Sequence, residues 1–369
     1  MVYIGQQFDK AVSLSELQKS AMRCRRGVRK KESVSKFCNK SIVRSKALRD
    51  DILNGTYKIS PYIKFKIYEP KVRDISATRI RDRVFQDSMI RNGVYDDLTR
   101  SNIYDNGACQ KEKGTMFAID RTKELLRRYH RIYGDEGWAC HLDARKYFPS
   151  TPHIISKRTI SEHVTDEAFI PYLHDIIDSF EDGRTADEIM NDEFGPRGTG
   201  LGSPVSQLVQ LSIPGKIDHT AKQEYKLKYY VRYNDDVILW HHDKEYLKKA
   251  ISFLISEAEK LGITVIDKEG IYPIKRGIKF LQLRFIFTKT GKIIVKLPQK
   301  SLKAERDTLR GLKRQLDLGK ISMKQVEDHY QSWVSRPKKL NANGAIKAMD
   351  MFYTEIFRKK PTYTFRKRR

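Results

Sequence analysis

The stretch from Lys228 to Trp240, KYYVRYNDDVILW, constrains this chain more than any other. Two apolar, β-prone runs, Tyr229-Tyr230-Val231 and Val237-Ile238-Leu239-Trp240, flank a polar centre. The pattern predicts a hairpin with Asn234-Asp235 at or near the turn. Two adjacent carboxylates, Asp235 and Asp236, then sit where the chain reverses. Mutual repulsion makes such a pair costly unless solvent or a cation offsets it. A hard divalent ion such as Mg²⁺ takes oxygen ligands of this kind. Taken alone, an Asp-Asp pair is more simply a solvated turn, and the rest of the chain decides between the two.

At 369 residues the chain can hold two or three structural units with a sizeable core. Its 72 Lys and Arg against 46 Asp and Glu leave a net charge of +26. Such an excess repels itself in a compact state, so a polyanionic partner is its natural complement. The basic residues run along the whole chain rather than in one tail. The four cysteines, Cys24, Cys38, Cys109 and Cys140, form no C-x-x-C pair, which argues against zinc and thioredoxin-like chemistry. Free thiols in a reducing cytoplasm are expected. The opening MVYIGQQFDKAV lacks a basic segment followed by an apolar run, and no apolar run approaches spanning length. The expectation is a soluble, cytoplasmic protein with no membrane partner.

Ser13-Leu14-Ser15-Glu16 fits a capping box, opening a helix to about Arg29 whose basic residues include Arg25, Arg26, Arg29 and Lys30. Contact with nucleic-acid phosphates competes there with a plain solvated face. A second helix is predicted from Ser35 to Leu53, stopped by Asn54-Gly55. Tyr62 to Tyr68 alternates in β fashion, Glu69-Pro70 turns, and Val72 to Ile75 returns, giving a basic hairpin. Arg79 to Gln86 opens a helix ending near Gly93, and Thr115 to Tyr133 is amphipathic. Trp138 to Asp143 reads as a short buried strand ending in an acid, and Ser150-Thr151-Pro152 as a cap with Pro at the first helical position. Further helices are expected near 171–180, over 206–225 with a kink at Pro214-Gly215, and from Asp243 to before Gly262. A Gly-rich loop, Gly195 to Pro204, precedes the second of these. Strands are expected at 278–287 and 292–295, and basic helices at 301–318, 322–335 and 344–356. The tail from Phe365 to Arg369 is expected to be disordered.

If the strand ending in Asp143 neighbours the Asp235-Asp236 hairpin in one antiparallel sheet, three carboxylates converge. Such a cluster suits two Mg²⁺ ions, one activating a 3′-hydroxyl and the other holding a triphosphate and its leaving group. Basic surroundings suit template and primer. Nucleotidyl transfer is the chemistry this implies, with template and sugar unspecified.

The chain resembles reverse transcriptases of the bacterial type over nearly its whole length. Tyr233-Asn234-Asp235-Asp236 resembles the family's Y-x-D-D box, and Asp143 to Phe148 its D-x-x-x-[YF]-F box. Lys71-x-Arg73 followed by Asp82-Arg83-x-x-Gln86 resembles the fingers motif K-x-R…DR-x-x-Q. Gly270 to Phe285, with Phe280-Leu281, resembles the palm-to-thumb segments. Leu201-Gly202-Ser203-Pro204-Val205-Ser206-Gln207 departs from the Q-G-x-x-x-S-P of group II intron and most other bacterial relatives. Its [LIV]-G-x-x-x-S-Q form is similar to that of diversity-generating retroelements, which misincorporate opposite template adenine.

The resemblance implies an α+β right-hand polymerase. Fingers would occupy 1–137 and the palm, with an antiparallel sheet, 138–297, including an inserted segment near 155–200. A helical thumb with a basic tail would occupy 298–369. It implies RNA-templated DNA synthesis with two Mg²⁺, or Mn²⁺ in their place. The implied partners are a structured template RNA, a DNA primer or cDNA, dNTPs, and a small basic accessory protein or a second copy of the chain. A short enzyme without endonuclease or RNase H segments is what the resemblance to diversity-generating retroelements leads one to expect.

Asp143, Asp235 and Asp236 are the implied catalytic metal ligands, the last more for geometry than for direct ligation. Phe148 resembles the steric gate against ribose, with Ala144 beside it, which disfavours an RNA polymerase. Lys71 and Arg73 resemble triphosphate contacts, and Lys268 the palm lysine that protonates pyrophosphate. Leu201 and Gln207 would lie near the nascent pair, and Arg83 and Tyr233 along the nucleic acid. Ser206 and Gln207 serve equally well as a helix cap. Gln282 stands where many relatives carry Gly, and His241 and His242 read as surface residues. An antiphage or unclassified bacterial reverse transcriptase is the nearest alternative. A non-catalytic RNA-binding scaffold is the alternative of another class, and the three retained aspartates argue against it.

Overall fold

The computed structural model describes residues 5–68, 72–288 and 290–362. The chain is a mixed α+β protein with antiparallel sheets. It divides into two compact units: Met1–Ala118 with Leu142–Val237 and Lys248–Lys268, and Ile119–His141 with Ile238–Leu247 and Glu269–Arg369. Among the described residues no helix is long and apolar enough to cross a membrane.

Strands β1 (Ile63–Ile67) and β2 (Arg73–Ala77) form the expected basic hairpin, with Ile67 opposite Arg73 and Ile63 opposite Ala77. The proposed turn at Glu69-Pro70, and Lys71 with it, lie outside the described residues. A second sheet contains β3 (Trp138–Ala144), β4 (Tyr230–Tyr233), β5 (Asp236–His241) and β6 (Val265–Asp267), in the order β4-β5-β3-β6. The short β7 (Tyr272–Pro273) pairs with the start of β3. The third sheet runs β10-β9-β8, from β8 (Ile278–Phe280), β9 (Leu283–Phe287) and β10 (Ile293–Lys296).

Helices supply most of the first unit's core. Ser13 caps Leu14–Cys24 by accepting the Glu16 N–H, and Leu17, Ser20 and Ala21 form its buried stripe. Glu16 itself pairs with Lys19, so only half of the anticipated capping box is used. Phe85, from the helix Ile80–Met89, is fully buried between the edges of Tyr57 and Tyr172. Such a ring contributes about 2–3 kcal/mol by leaving water.

Several boundaries differ from the sequence expectation, each for a local reason. The first basic helix stops at Cys24, and Gly27 at φ 78° lies in the turns that follow, so Arg25, Arg26, Arg29 and Lys30 belong to turns. The single helix expected over 35–53 is two, Glu32–Asn39 and Ser41–Leu53, because Lys40 takes a non-helical φ of −118° and ψ of 37°. The expected break near Gly93 is present: Asn92 at φ −107° and Gly93 at φ 154° leave helical backbone, and a separate short helix, Tyr95–Thr99, follows the kink. Pro152 is the residue before the helix His153–His163, not its first residue. Thr151 turns its hydroxyl to the Tyr147 carbonyl and the Gln210 side chain. The stretch 206–225 is two helices, Pro204–Ser212 and Gly215–Gln223, separated at Pro214.

In the second unit the helices Gln299–Asp317, Met323–Lys339 and Asn343–Phe357 enclose a separate core of Leu309, Val326, Tyr330, Val334, Met349 and Tyr353. Ser322 and Gln325 form a reciprocal capping box at the start of the second helix.

The β8–β9 connection is two residues long, and both take left-handed backbone, Leu281 at φ 51° and Gln282 at φ 60°. Those angles belong to the tight turn that matches strand twist, and they favour Gly or Asn. A Cβ in this region costs about 1–2 kcal/mol per residue. Gln282→Gly is therefore expected to stabilise the protein by roughly 1 kcal/mol, read as a higher midpoint in urea. An unchanged or lower midpoint would count against the strain.

Candidate active site

The hairpin at the centre of the sequence is present. Asn234 and Asp235 form its turn, and Asn234 accepts φ 54°, a conformation Asn tolerates better than most residues. Beneath it lies a network that no sequence pattern announced. Arg232, on β4, is 1% exposed, and its Nε donates to Asp218 Oδ2 at 2.7 Å. Its other nitrogens donate to the Leu211 carbonyl at 2.9 Å and the Asn234 carbonyl at 3.3 Å. The Tyr230 hydroxyl donates to the second Asp218 oxygen at 2.6 Å. The turn's main chain is thus tied down by a buried cation from its own strand. The sequence spacing of Asp218 and Arg232 follows no helix or hairpin rule, so only the fold pairs them.

Asp236 opens β5, and Asp143 lies near the end of β3, its neighbour in the sheet. The Ala144 N–H donates to the Asp235 carbonyl at 3.3 Å, fixing the turn against that end of β3. On the other side β6 pairs antiparallel with β3, setting Asp143 opposite Ile266 and Leu142 opposite Asp267. Lys268 follows β6 directly and joins the two acids. Its Nζ lies 2.8 Å from Asp236 Oδ1 and 3.0 Å from Asp143 Oδ1.

The electrostatics follow from this crowding. Burial pushes the Asp235 carboxyl up to about 6, and the negative neighbours Asp236 and Asp143 add to the rise while Lys268 opposes it. Burial likewise raises Asp143. There Lys268 again works downward, and Asp236, within hydrogen-bond reach, works upward. Burial disfavours the Lys268 ammonium, but its bonds to Asp236 and Asp143 outweigh this and hold its pKa above the usual lysine range. The site therefore carries excess negative charge that one ammonium only partly balances.

Among the described residues no group of three or more His, Cys, Asp and Glu side chains is arranged as a metal site. The donor chemistry nevertheless fits a hard cation. All three acids offer carboxylate oxygens, and two of them already share a positive charge.

The other sequence-selected residues fall into separate groups. Phe148 is half-buried, its ring edge-on to Tyr147, and its carbonyl receives the Thr199 N–H at 2.8 Å. Leu201 is joined to β2 through its carbonyl, which accepts the Ser76 N–H at 2.9 Å. Gly202 permits this approach: a Cβ there would stand 3.0 Å from the Ser76 carbonyl oxygen, at a φ of 116°. Leu201, Thr199, Tyr62 and Ile75 line a cavity of about 780 Å³. Arg73 is exposed on β2, and Gln207 is exposed on the helix Pro204–Ser212. Ser203, not Ser206, caps that helix, and Pro204 is its first residue. Ser206 is fully buried. The Tyr233 hydroxyl meets Thr115 Oγ1 at 3.2 Å. His241 and His242 stack against Tyr246 and Tyr133 respectively.

The Gly-rich loop has its own fastening, which sequence reasoning did not find. Arg184 pairs with Asp182 and Asp192, and Arg197 pairs with Asp192 and donates to the Ser150 and Gly262 carbonyls. The Arg184 guanidinium holds the Asp182 carboxyl down at about 2, despite partial burial. The signal available was the alternation of Asp and Arg over 182–197.

No family model and no curated protein matches the sequence. Among solved structures the chain is similar to apo telomerase from Candida tropicalis, truncated from its C-terminal domain, at 13% identity and a TM-score of 0.40, over 70% of this chain and 60% of that one. It is also similar to telomerase from Candida albicans in complex with a TWJ fragment of telomeric RNA, at 13% identity and a TM-score of 0.43, over 84% of this chain and 56% of that one. The chain spans less than two thirds of either telomerase, and both are distant structural neighbours.

Proposed function

We propose that this chain is an RNA-directed DNA polymerase. The observation that carries the reading is the meeting of Asp143 and Asp236 at Lys268, with Asp235 in the adjoining turn. The ends of two neighbouring strands and a third strand's exit bring two acids and one protonated amine together, with Asp235 in the turn beside them. Oxygen donors of this kind suit Mg²⁺, which Asp143 and Asp235 would hold with Asp236 shaping the site. When bound, the ions lower the pKa of a 3′-hydroxyl and stabilise charge on a departing pyrophosphate. The chain's own part is to hold the acids in place, Arg232 by tying down the main chain of the turn and Lys268 by pairing with Asp143 and Asp236. Lys268 also keeps a proton at Nζ, where a leaving group can take it. The fingers, palm and thumb divisions named above belong to this proposal, as does contact of Lys71 and Arg73 with the triphosphate.

The direct test is extension of a DNA primer on an RNA template by the purified protein with dNTPs and Mg²⁺. Extension that EDTA abolishes supports the reading, and binding without extension replaces it with a scaffold.

Two finer parts rest on single side chains. Phe148 is the proposed gate against a ribose 2′-hydroxyl. Phe148→Ala is expected to admit ribonucleotides at least about tenfold more readily, the size of a lost steric discrimination of roughly 1.4 kcal/mol. Continued strict use of dNTPs would remove the assignment. Leu201 offers apolar packing but no hydrogen bond to a nascent pair, in keeping with a low-fidelity enzyme of the diversity-generating type. Leu201→Gln is expected to lower misincorporation opposite template adenine several-fold. Sequenced extension products showing the same error spectrum would contradict it.

A further inference from the structure

Apart from the carboxylate cluster, the first unit contains a cavity of about 270 Å³. Six cations line it: Lys31, Lys36, Arg44, Arg79, Arg81 and Arg83. No acidic side chain does. Lys36 is paired with Glu32, and Arg81 with Asp51 and Asp82. Lys31, Arg44, Arg79 and Arg83 have no carboxylate partner among the described residues; Arg79 and Arg83 donate only to the Pro61 and Thr78 carbonyls. Like charges gathered without counter-charges repel, and such a gathering is stable when an anion joins it.

Two further observations say where the anion goes. Thr78, 2% exposed, lines the cavity, and its Oγ1 is buried without a hydrogen-bond partner. Buried polar atoms are rarely left so, which makes the Thr78 hydroxyl an unmet hydrogen-bonding group at the wall of the cavity. Immediately after it, the helix Ile80–Met89 begins with no side chain capping it. Asp82 in its first turn is committed elsewhere, to the Tyr57 hydroxyl and the Ser60 N–H. Free first-turn N–H groups with the positive end of the helix dipole are a phosphate site in waiting. The apolar lining is also exposed: Ile63 and Phe65, on one face of β1, stand 45% and 47% open to solvent.

We infer that this cavity is a binding site for a nucleoside monophosphate group. The phosphate lies at Thr78, the helix start and Arg79, and the base lies against Phe65 and Ile63. Arg44 and Lys31 close the site from the neighbouring helices. Its volume admits one nucleotide and excludes a duplex. Two sources carry the same chemistry: a free mononucleotide, and the 5′-phosphorylated end of a nucleic acid.

The test measures binding alone, so it stands apart from the polymerase reading. A short single-stranded RNA labelled at its 3′ end is prepared with a 5′-phosphate and with a 5′-hydroxyl, and anisotropy is followed at physiological salt. The 5′-phosphate is expected to tighten binding roughly tenfold, as one or two charge-assisted hydrogen bonds would. The preference is expected to vanish in the exposed double variant Lys31→Ala/Arg44→Ala and to shrink in Thr78→Val. Displacement by 5′-AMP identifies a free nucleotide as a ligand; a retained preference without displacement identifies a nucleic-acid end. Equal binding of the two RNAs with no displacement by 5′-AMP overturns the inference. So does a preference that survives in a folded double variant. A protein that prefers the 5′-phosphate yet fails to extend a primer keeps this site and loses only the proposed polymerase activity.

Discussion

Asp143→Asn is expected to reduce nucleotide incorporation by at least about a thousandfold, the loss of roughly 4 kcal/mol of transition-state stabilisation. The substitution keeps the shape of the side chain and the β3–β6 register, in which Asp143 stands opposite Ile266. It removes one of the two carboxylates that Lys268 joins. The informative feature is the contrast with stability. Three acids are held together against repulsion, and burial has already lifted Asp235 to about 6. An acid whose folded pKa is raised binds its proton more tightly when folded. Stability therefore rises as pH falls through about 6 toward the unfolded value, and is lowest at neutral pH. Without divalent ions, Asp235→Asn should raise the melting temperature at pH 7 and leave it little changed at pH 4. Primer extension and thermal melting on the same preparations read both effects. Full incorporation by Asp143→Asn would eliminate the proposed chemistry, and a fall in melting temperature for Asp235→Asn would show that the cluster is not under strain.

The second large effect is structural. Asp218→Ala should destabilise the protein by about 3–5 kcal/mol, because Arg232 would remain buried as an unpaired cation. Arg232 and Asp218 side chains are 2% and 0% exposed, so water cannot replace the lost partner. Tyr230→Phe removes only one hydrogen bond to the same carboxylate and should cost about 1 kcal/mol. Equilibrium unfolding in denaturant separates the two. An Asp218→Ala cost no greater than that of Tyr230→Phe would mean that Arg232 finds another partner or leaves the core.

These two experiments divide what was legible in the sequence from what was not. The hairpin turn at Asn234-Asp235, the strand ending near Asp143 and the helix Thr115–Tyr133 were readable, because alternation, turn residues and helical periodicity are local signals. The proximity of Asp143 to Asp236 followed once their strands were taken as neighbours. Lys268 was reachable only through a degraded motif, since its place depends on β6 pairing with β3. The Arg232–Asp218 pair was out of reach: a basic residue in a strand usually faces solvent, and nothing in YVRY marks Arg232 as buried. Lys40 and the Leu281-Gln282 turn failed for local reasons. Lys40 leaves the helix at an ordinary negative φ that nothing in the sequence marks, and Leu281 and Gln282 adopt left-handed angles that local propensity assigns to Gly or Asn.

The anchoring of the turn by Arg232 bears on how this site could be moved. A hairpin is normally the smallest portable piece of a sheet, cut at its ends and grafted by register. Here the loop's carbonyl is held by a guanidinium whose counter-ion sits on the preceding helix, Gly215–Gln223. Transplanting the strands alone would carry an orphaned charge into the new host. The smallest transferable cassette therefore begins at that helix, and a chimera that respects this cut should fold where one cut at Lys228 does not.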